Sequence, residues 1–225
     1  MRISESMLEL GIAILPDKDT TQEALRLNGL VLNALNSTHL QIEPTKNIPH
    51  ISLYHMAADE SHVVQIIEIL QSIWKNSPGF TIKMDKHLHL IDKLYYVFWN
   101  AEQAKSCPHM KELLKKVINQ LCPLRSKTLL QHVADSYEKF SLHDKKLVDQ
   151  YGVSFGLPDI SFNPHITLLY NTSIGRLNSK EIDVQAIKTV IEEVTPSRSF
   201  EFAANKMVLA ELGYQGNIIN MIEEF

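Results

Sequence analysis

Apolar positions along this chain alternate between strand-like runs and helix-like stripes. Residues 8–15 form a short apolar run stopped by Pro16 and Asp17, which predicts a strand. Asp19-Thr20-Thr21-Gln22-Glu23 then supplies helix-start chemistry. Leu25, Leu27, Leu30, Val31, Leu32, Ala34 and Leu35 make the buried stripe of a helix ending near Asn36. A polar stretch with Pro44 and Pro49 leads into a second strand over 48–56. Asp59-Glu60-Ser61 opens a second helix with Val63, Ile66, Ile67, Leu70 and Trp74 on one stripe, and Ser77-Pro78-Gly79 ends it. Residues 80–84 and 94–99 predict two more strands.

The pattern then starts again. Ser106 and Pro108 open a helix through Leu121, a strand follows over 160–170, and a helix over 178–194 buries Ile182, Ile187, Val190 and Ile191. Strands over 200–209 and 217–225 close the chain. Strand, helix, strand, helix, strand thus occurs twice, which reads as an internal duplication. Short, well-spaced strands separated by helices or tight turns predict an α+β fold. Residues 1–225 are read as one domain of two lobes, about 1–93 and 94–225. Residues 123–159 have no counterpart in the first half. Within them 127–149 is polar and predicted helical, with Leu129, Leu130, Val133, Tyr137 and Phe140 as its stripe, and 151–156 reads as a loop. This insertion either frames a substrate or packs as a helix with a mobile connection.

Composition narrows the class. Among the 225 residues 44% are hydrophobic and 21% charged, ordinary values for a globular chain, so disordered and collagen-like classes are excluded. No apolar run approaches the roughly 20 residues that span a bilayer. Residues 1–6 are followed by no extended apolar stretch, so a secretory leader is not expected and the reading is cytoplasmic, with export by an unrecognised signal left open. The net charge of -4 argues against a grip on long duplex, which needs many phosphates neutralised. A small phosphorylated ligand or an oligonucleotide end fits better. Cys107 and Cys122 lack the spacing of a disulfide framework or zinc knuckle and read as reduced thiols. No membrane and no obligate protein partner is indicated.

Two short stretches carry the chemistry. Pro49-His50-Ile51-Ser52-Leu53 and Pro164-His165-Ile166-Thr167-Leu168 are nearly the same and lie 115 residues apart, each on the corresponding strand of its repeat. Alternation on a strand sends His50 with Ser52, and His165 with Thr167, to one face. Packed about a pseudo-two-fold axis, the pairs converge as two imidazoles that titrate near neutrality and two hydroxyl donors. That set suits general acid–base cleavage at phosphorus. One neutral histidine takes a proton from the nucleophile, the other gives one to the leaving oxygen, and the hydroxyls hold the phosphoryl oxygens. The scheme calls for no metal and no cofactor.

The remaining candidates are weaker. His87 and His89 stand two apart on a strand, as metal ligands can, but the sequence places no third ligand beside them. His39, His62, His109, His132 and His143 read as solvated. Arg125, Lys127 and Lys206 are cations that either meet a phosphate or are ordinary surface charge. By parity Tyr54 shares the face of His50, lining the cleft or packing on the pleat, and His55 takes the opposite face as packing. No Gly-rich phosphate loop is present.

The two His-x-Ser/Thr motifs in a duplicated α+β chain resemble the 2H phosphoesterase superfamily, which includes the RNA 2′,3′-cyclic phosphodiesterases once named 2′-5′ RNA ligases. The resemblance implies a bilobal α+β fold of antiparallel sheets duplicated about a pseudo-two-fold axis, with outer helices and a central cleft. It places His50, Ser52, His165 and Thr167 on the family's four active-site positions, with His50 as the acid and His165 as the base on water. It implies opening of a 2′,3′-cyclic phosphate, on a nucleotide or RNA end, to a 2′-phosphate. Alternatives are cleavage of 2′,5′-linked oligoadenylate and a non-catalytic nucleotide-binding module. The partner implied is thus a nucleotide or short oligonucleotide. Two positions depart from the commoner pattern: Ser52 replaces Thr, and His55 replaces the aromatic residue that Tyr170 supplies in the second copy.

Overall fold

The computed structural model describes residues 6–36, 48–91, 96–160, 162–170, 184–213 and 216–225. Its strands are β1 (Met7–Ile14), β2 (Ile51–Asp59), β3 (Thr81–Ile91), β4 (Tyr96–Ala101), β5 (His165–Tyr170), β6 (Glu201–Ala203), β7 (Met207–Leu212) and β8 (Ile218–Glu224). Its helices are α1 (Lys18–Asn36), α2 (Val63–Lys75), α3 (Gln103–Leu121), α4 (Gln131–Ala134), α5 (Leu142–Tyr151) and α6 (Val184–Glu193). His39 and the expected helix start at Asn178 lie outside the described residues.

Local chemistry sets the element ends. The Asp17 carboxylate accepts from the Thr20 amide at 2.8 Å, so α1 starts one residue after Asp17. Asp59 accepts from the Ser61 amide and opens a single 3-10 turn that runs into α2. Ser141 and Asp144 cap each other's backbone at the start of α5, and Gly152, at φ +83°, ends it. A Cβ on Gly152 would stand 2.8 Å from the Arg125 side chain, so the left-handed turn and the close approach both call for glycine.

The strands form one antiparallel sheet in the order β6-β3-β4-β5-β2-β1-β7-β8. It is an α+β fold, as the alternating pattern predicts. The halves of the sheet draw on both halves of the chain. β3 pairs with β4, whereas β7 and β8 return to the far side of β1. The main core joins Ile51, Met56, Trp99 and Ile166 of the strands to Leu27 and Val31 of α1, Ile66 and Leu70 of α2, and Leu114 and Val117 of α3. A smaller cluster of Ala13, Val208, Ala210, Leu212 and Ile218 forms around β1 and β7.

Three elements differ from their sequence-based outline. The run 200–209 is two strands, because β6 pairs with β3 and β7 with β1 in opposite halves of the sheet. The polar stretch 127–149 is no single helix: α4 stops at Ala134, a 3-10 turn covers Tyr137–Lys139, and Ser141 caps a fresh helix. Strand β5 begins only at His165, after Pro164, which has no N–H to give a ladder.

Candidate active site

The sheet narrows at its centre to one residue pair. Ile51 of β2 faces Ile166 of β5, and both are fully buried. In an antiparallel pair the flanking residues lie across from one another and point away from the core. His50 therefore lies across from Thr167, and Ser52 across from His165. The register brings all four motif residues to one face.

Both imidazoles are oriented the same way. His50 Nδ1 lies 2.7 Å from the Ile48 carbonyl oxygen, and His165 Nδ1 lies 2.6 Å from that of Asn163. Only a protonated Nδ1 can donate to a carbonyl, so in each neutral ring Nε2 is the basic nitrogen. Asn163 is itself fixed. Its amide donates to Asn100 at 3.1 Å and its oxygen accepts from Gln103 at 2.9 Å. Burial pushes the pKa of His50 down, and the Ile48 carbonyl partly opposes it. Burial also pushes His165 down, against the pull of the Asn163 carbonyl and with a further lowering by His50.

A bulge in each motif strand redirects the side chains beyond the motif. Ser52 pairs with Ala13 and Tyr54 with Ile12, leaving Leu53 as the extra residue. On β5, Thr167 pairs with Phe98 and Leu169 with Val97, leaving Leu168 as the extra residue. Leu53 and Leu168 stand at equivalent positions of the duplication. Each bulge turns two successive side chains inward: Leu53 with Tyr54, and Leu168 with Leu169, all in the main core. Strict alternation fails here. Tyr54 is buried and donates its hydroxyl to the Tyr151 carbonyl at 2.6 Å instead of lining the site. His55 comes back to the site face, with Nε2 3.2 Å from Ser52 Oγ.

His55 is enclosed. The His132 ring meets it edge-on at 5.9 Å between centroids, and Gly216 sits so close that a Cβ would lie 2.6 Å from His55 Cε1. Burial, then the neighbouring His132, His50 and His165, lower its pKa to about 3, so it stays neutral. The sequence reading puts His132 in solvent. It instead packs between His55 and Phe155, 6.2 Å from the latter ring, and burial lowers its pKa. Phe155 is 52% exposed. The insertion is laced to the site strands, with the Ser126 amide donating to Ala57 at 2.8 Å and the Gln131 amide to the Glu9 carboxylate at 2.6 Å.

Tyr96, which sequence reasoning missed, touches the second motif directly. Its hydroxyl lies 2.5 Å from His165 Nε2 and 2.8 Å from Thr167 Oγ1. Phe98, two residues on, packs 5.0 Å from the His165 ring and stacks on His89 at 5.6 Å. The available signal was alternation on β4, which sets Tyr96, Phe98 and Asn100 on the face opposite Val97, Trp99 and Ala101.

The weaker candidates settle elsewhere. His89 bonds Asp85 at 3.3 Å and His87 is exposed. Among the described residues no three His, Cys, Asp or Glu side chains converge as metal ligands. Arg125 donates to the Ser126 and Asp149 carbonyls, which commits it to the insertion, and Lys206 pairs with Glu224 at 2.8 Å. Lys127 and His143 are exposed. His62 bonds the Leu124 carbonyl and His109 stacks on Phe80. Cys122 is a free thiol, and Cys107 lies outside the described side chains. Among the described residues no helix is long and apolar enough to cross a membrane.

No family model matches the sequence, and no curated protein matches it. Solved structures do match over nearly the whole length. LigT of E. coli in apo form aligns with a TM-score of 0.52 at 13% identity, covering 98% of this chain and 97% of its own. A phosphoesterase aligns at 0.53 and 13%, covering 98% of both chains. Usb1 of Kluyveromyces marxianus aligns at 0.53 and 12%, covering 100% of this chain and 98% of its own. All three are members of the 2H phosphoesterase superfamily, and the fold of this chain is theirs, as its two motifs imply.

Proposed function

We propose that the protein is a phosphoesterase that cleaves a 2′,3′-cyclic phosphate, on a nucleotide or a short RNA end, to a 2′-phosphate without a metal. His50 and His165 act as the acid–base pair. Ser52 and Thr167 donate to the non-bridging phosphoryl oxygens. The observation that carries this reading is the matched pair of imidazoles. Each is locked by Nδ1 to the carbonyl two residues back, and each lies beside the Ile51–Ile166 pair, directly opposite the other motif's hydroxyl. One neutral ring takes the proton of the attacking water, and the other returns a proton to the departing sugar oxygen. The hydroxyls meet charge as it grows on phosphorus oxygens. The shared fold with a phosphoesterase supports the reaction class.

The test is hydrolysis of a 2′,3′-cyclic mononucleotide in EDTA by the wild type, His50→Ala and His165→Ala. Turnover that survives EDTA and falls by about 10²–10⁴ in each variant is expected, the range for loss of a general acid or base. Abolition by EDTA would refute the metal-free reaction. Turnover of a 2′,5′-linked oligoadenylate alone would move the substrate and keep the chemistry. Tight nucleotide binding with no turnover would make the chain a binding module.

A further inference from the structure

We propose that Tyr96 couples the charge of His165 to the direction of the Thr167 hydroxyl, so that the second motif offers a proton to a bound anion only when His165 is protonated. This rests on the reading of Thr167 as a phosphate donor.

Three atoms share a limited number of protons. His165 Nε2, the Tyr96 hydroxyl and Thr167 Oγ1 form a continuous chain, with spacings of 2.5 and 2.8 Å. His165 Nδ1 is committed as a donor to the Asn163 carbonyl. When His165 is neutral, Nε2 therefore carries no proton and must accept from the phenol. The phenol proton is then used, so the Tyr96–Thr167 contact forms only if Thr167 donates to the phenol oxygen. In that state the threonine proton points inward, and the oxygen it shows a substrate carries only lone pairs. When His165 gains a proton, every arrow reverses. Nε2–H donates to the phenol oxygen, the phenol donates to Thr167 Oγ1, and the threonine proton turns outward. No covalent bond changes; the added proton comes from solvent.

Among the described residues the first motif has no such device. The position of Tyr96, opposite Tyr170, is taken in the other half by Gly11, opposite His55. Ser52 bonds instead to His55, which its enclosure keeps neutral. If His55 carries its proton on Nε2 it donates to Ser52, whose own proton is left for an anion whatever the state of His50. The two hydroxyls of a duplicated site therefore answer pH differently. The groups facing His165 are Tyr96 and Phe98 from β4, His50 and His55 from the β2 side, and the Asn163 carbonyl on its own segment. An anion that takes the Thr167 proton draws a proton onto His165.

Sulfate is the probe, because its charge is constant over the range needed. Its affinity is measured by calorimetry at about pH 5 and about pH 8, on either side of an ordinary imidazole. Thr167→Val should weaken binding about tenfold at the lower pH, the worth of a hydrogen bond to a charged group, and hardly at all at the higher. Thr167→Ser keeps the hydroxyl and should keep the pH dependence. With Tyr96→Phe as background, Thr167→Val should cost the same at both pH values. Histidine-selective NMR should show sulfate raising the His165 titration more in the wild type than in Tyr96→Phe. An equal cost of Thr167→Val at both pH values in the otherwise wild-type chain would overturn the coupling and leave the phosphate-donor role intact. Sulfate binding that ignores Thr167 at both would overturn that role itself.

Discussion

Burial lowers the pKa of both motif imidazoles, and the sign of that shift fixes where they can act as a pair. The proposed acid–base reaction needs one ring charged and the other neutral, a state most populated between their two pKa values. With both held below the ordinary imidazole value, at neutral pH both rings are mostly neutral and the acid is missing. The profile of kcat/KM on a cyclic mononucleotide should therefore be bell-shaped, with its maximum below about pH 6.5. A maximum above pH 7 would show that the rings are not held neutral by burial. The four motif residues were legible in the sequence because two copies of one pattern share a strand position. Tyr96 was not, since a single tyrosine on a strand carries no repeat to single it out. His132 was misplaced for a related reason: a polar residue in a polar stretch gives no sign of the neighbour that buries it.

At the scale of elements, the duplicated bulge decides which side chains reach the site. A two-residue period read along β2 puts Tyr54 at the site and His55 in the core, and one inserted residue exchanges them. Bulges leave no compositional mark, so no reading of apolar alternation could have found these. They do leave an unpaired backbone group to satisfy. The Asn28 side chain of α1 donates to the carbonyl of the bulge residue Leu168, tying a helix to the strand that carries His165. Asn28→Ala should cost about 1 kcal/mol in urea unfolding, and up to about 3 if the carbonyl stays dry. The accompanying loss of kcat should exceed any rise in KM, because the affected strand carries His165, one of the two rings of the proposed acid–base pair. A variant as stable as the wild type would show that the carbonyl finds another partner. The long polar stretch misled for a different reason: its stripe fits a helix, but the cap at Ser141 starts a new one.

For the whole molecule, several enclosed imidazoles make stability fall as the solution is acidified. A histidine kept neutral in the fold, as His55 is down to about pH 3, binds its proton earlier in the unfolded chain. Stability is then lost as pH drops below the unfolded value of about 6.5, and the loss continues to the folded value. His50, His165 and His132 add in the same direction. Glu23 adds a later step. Its carboxylate holds Arg26 and the Ser197 amide, and the Arg26 bond lowers its pKa, so its contribution is present above its unfolded value and lost below it. The urea midpoint should thus fall between about pH 7.5 and about pH 5, before carboxylates titrate, and His55→Gln should reduce that fall. An unchanged midpoint would mean that the rings are not enclosed.

The strand order was the part of the fold least open to sequence reading, because a repeat reveals equivalent elements but not which copy each one pairs with. Its consequence reaches back to synthesis. β1 and β2 are translated before β7, so the outer edge of β1 waits for a strand nearly 200 residues later. Until then a growing chain at the ribosome carries an exposed strand edge, the kind of surface that chaperones cover and that neighbouring nascent chains can join. The crossed pairing that gives one sheet thus makes β7, from the other half of the chain, the strand that covers the edge of β1.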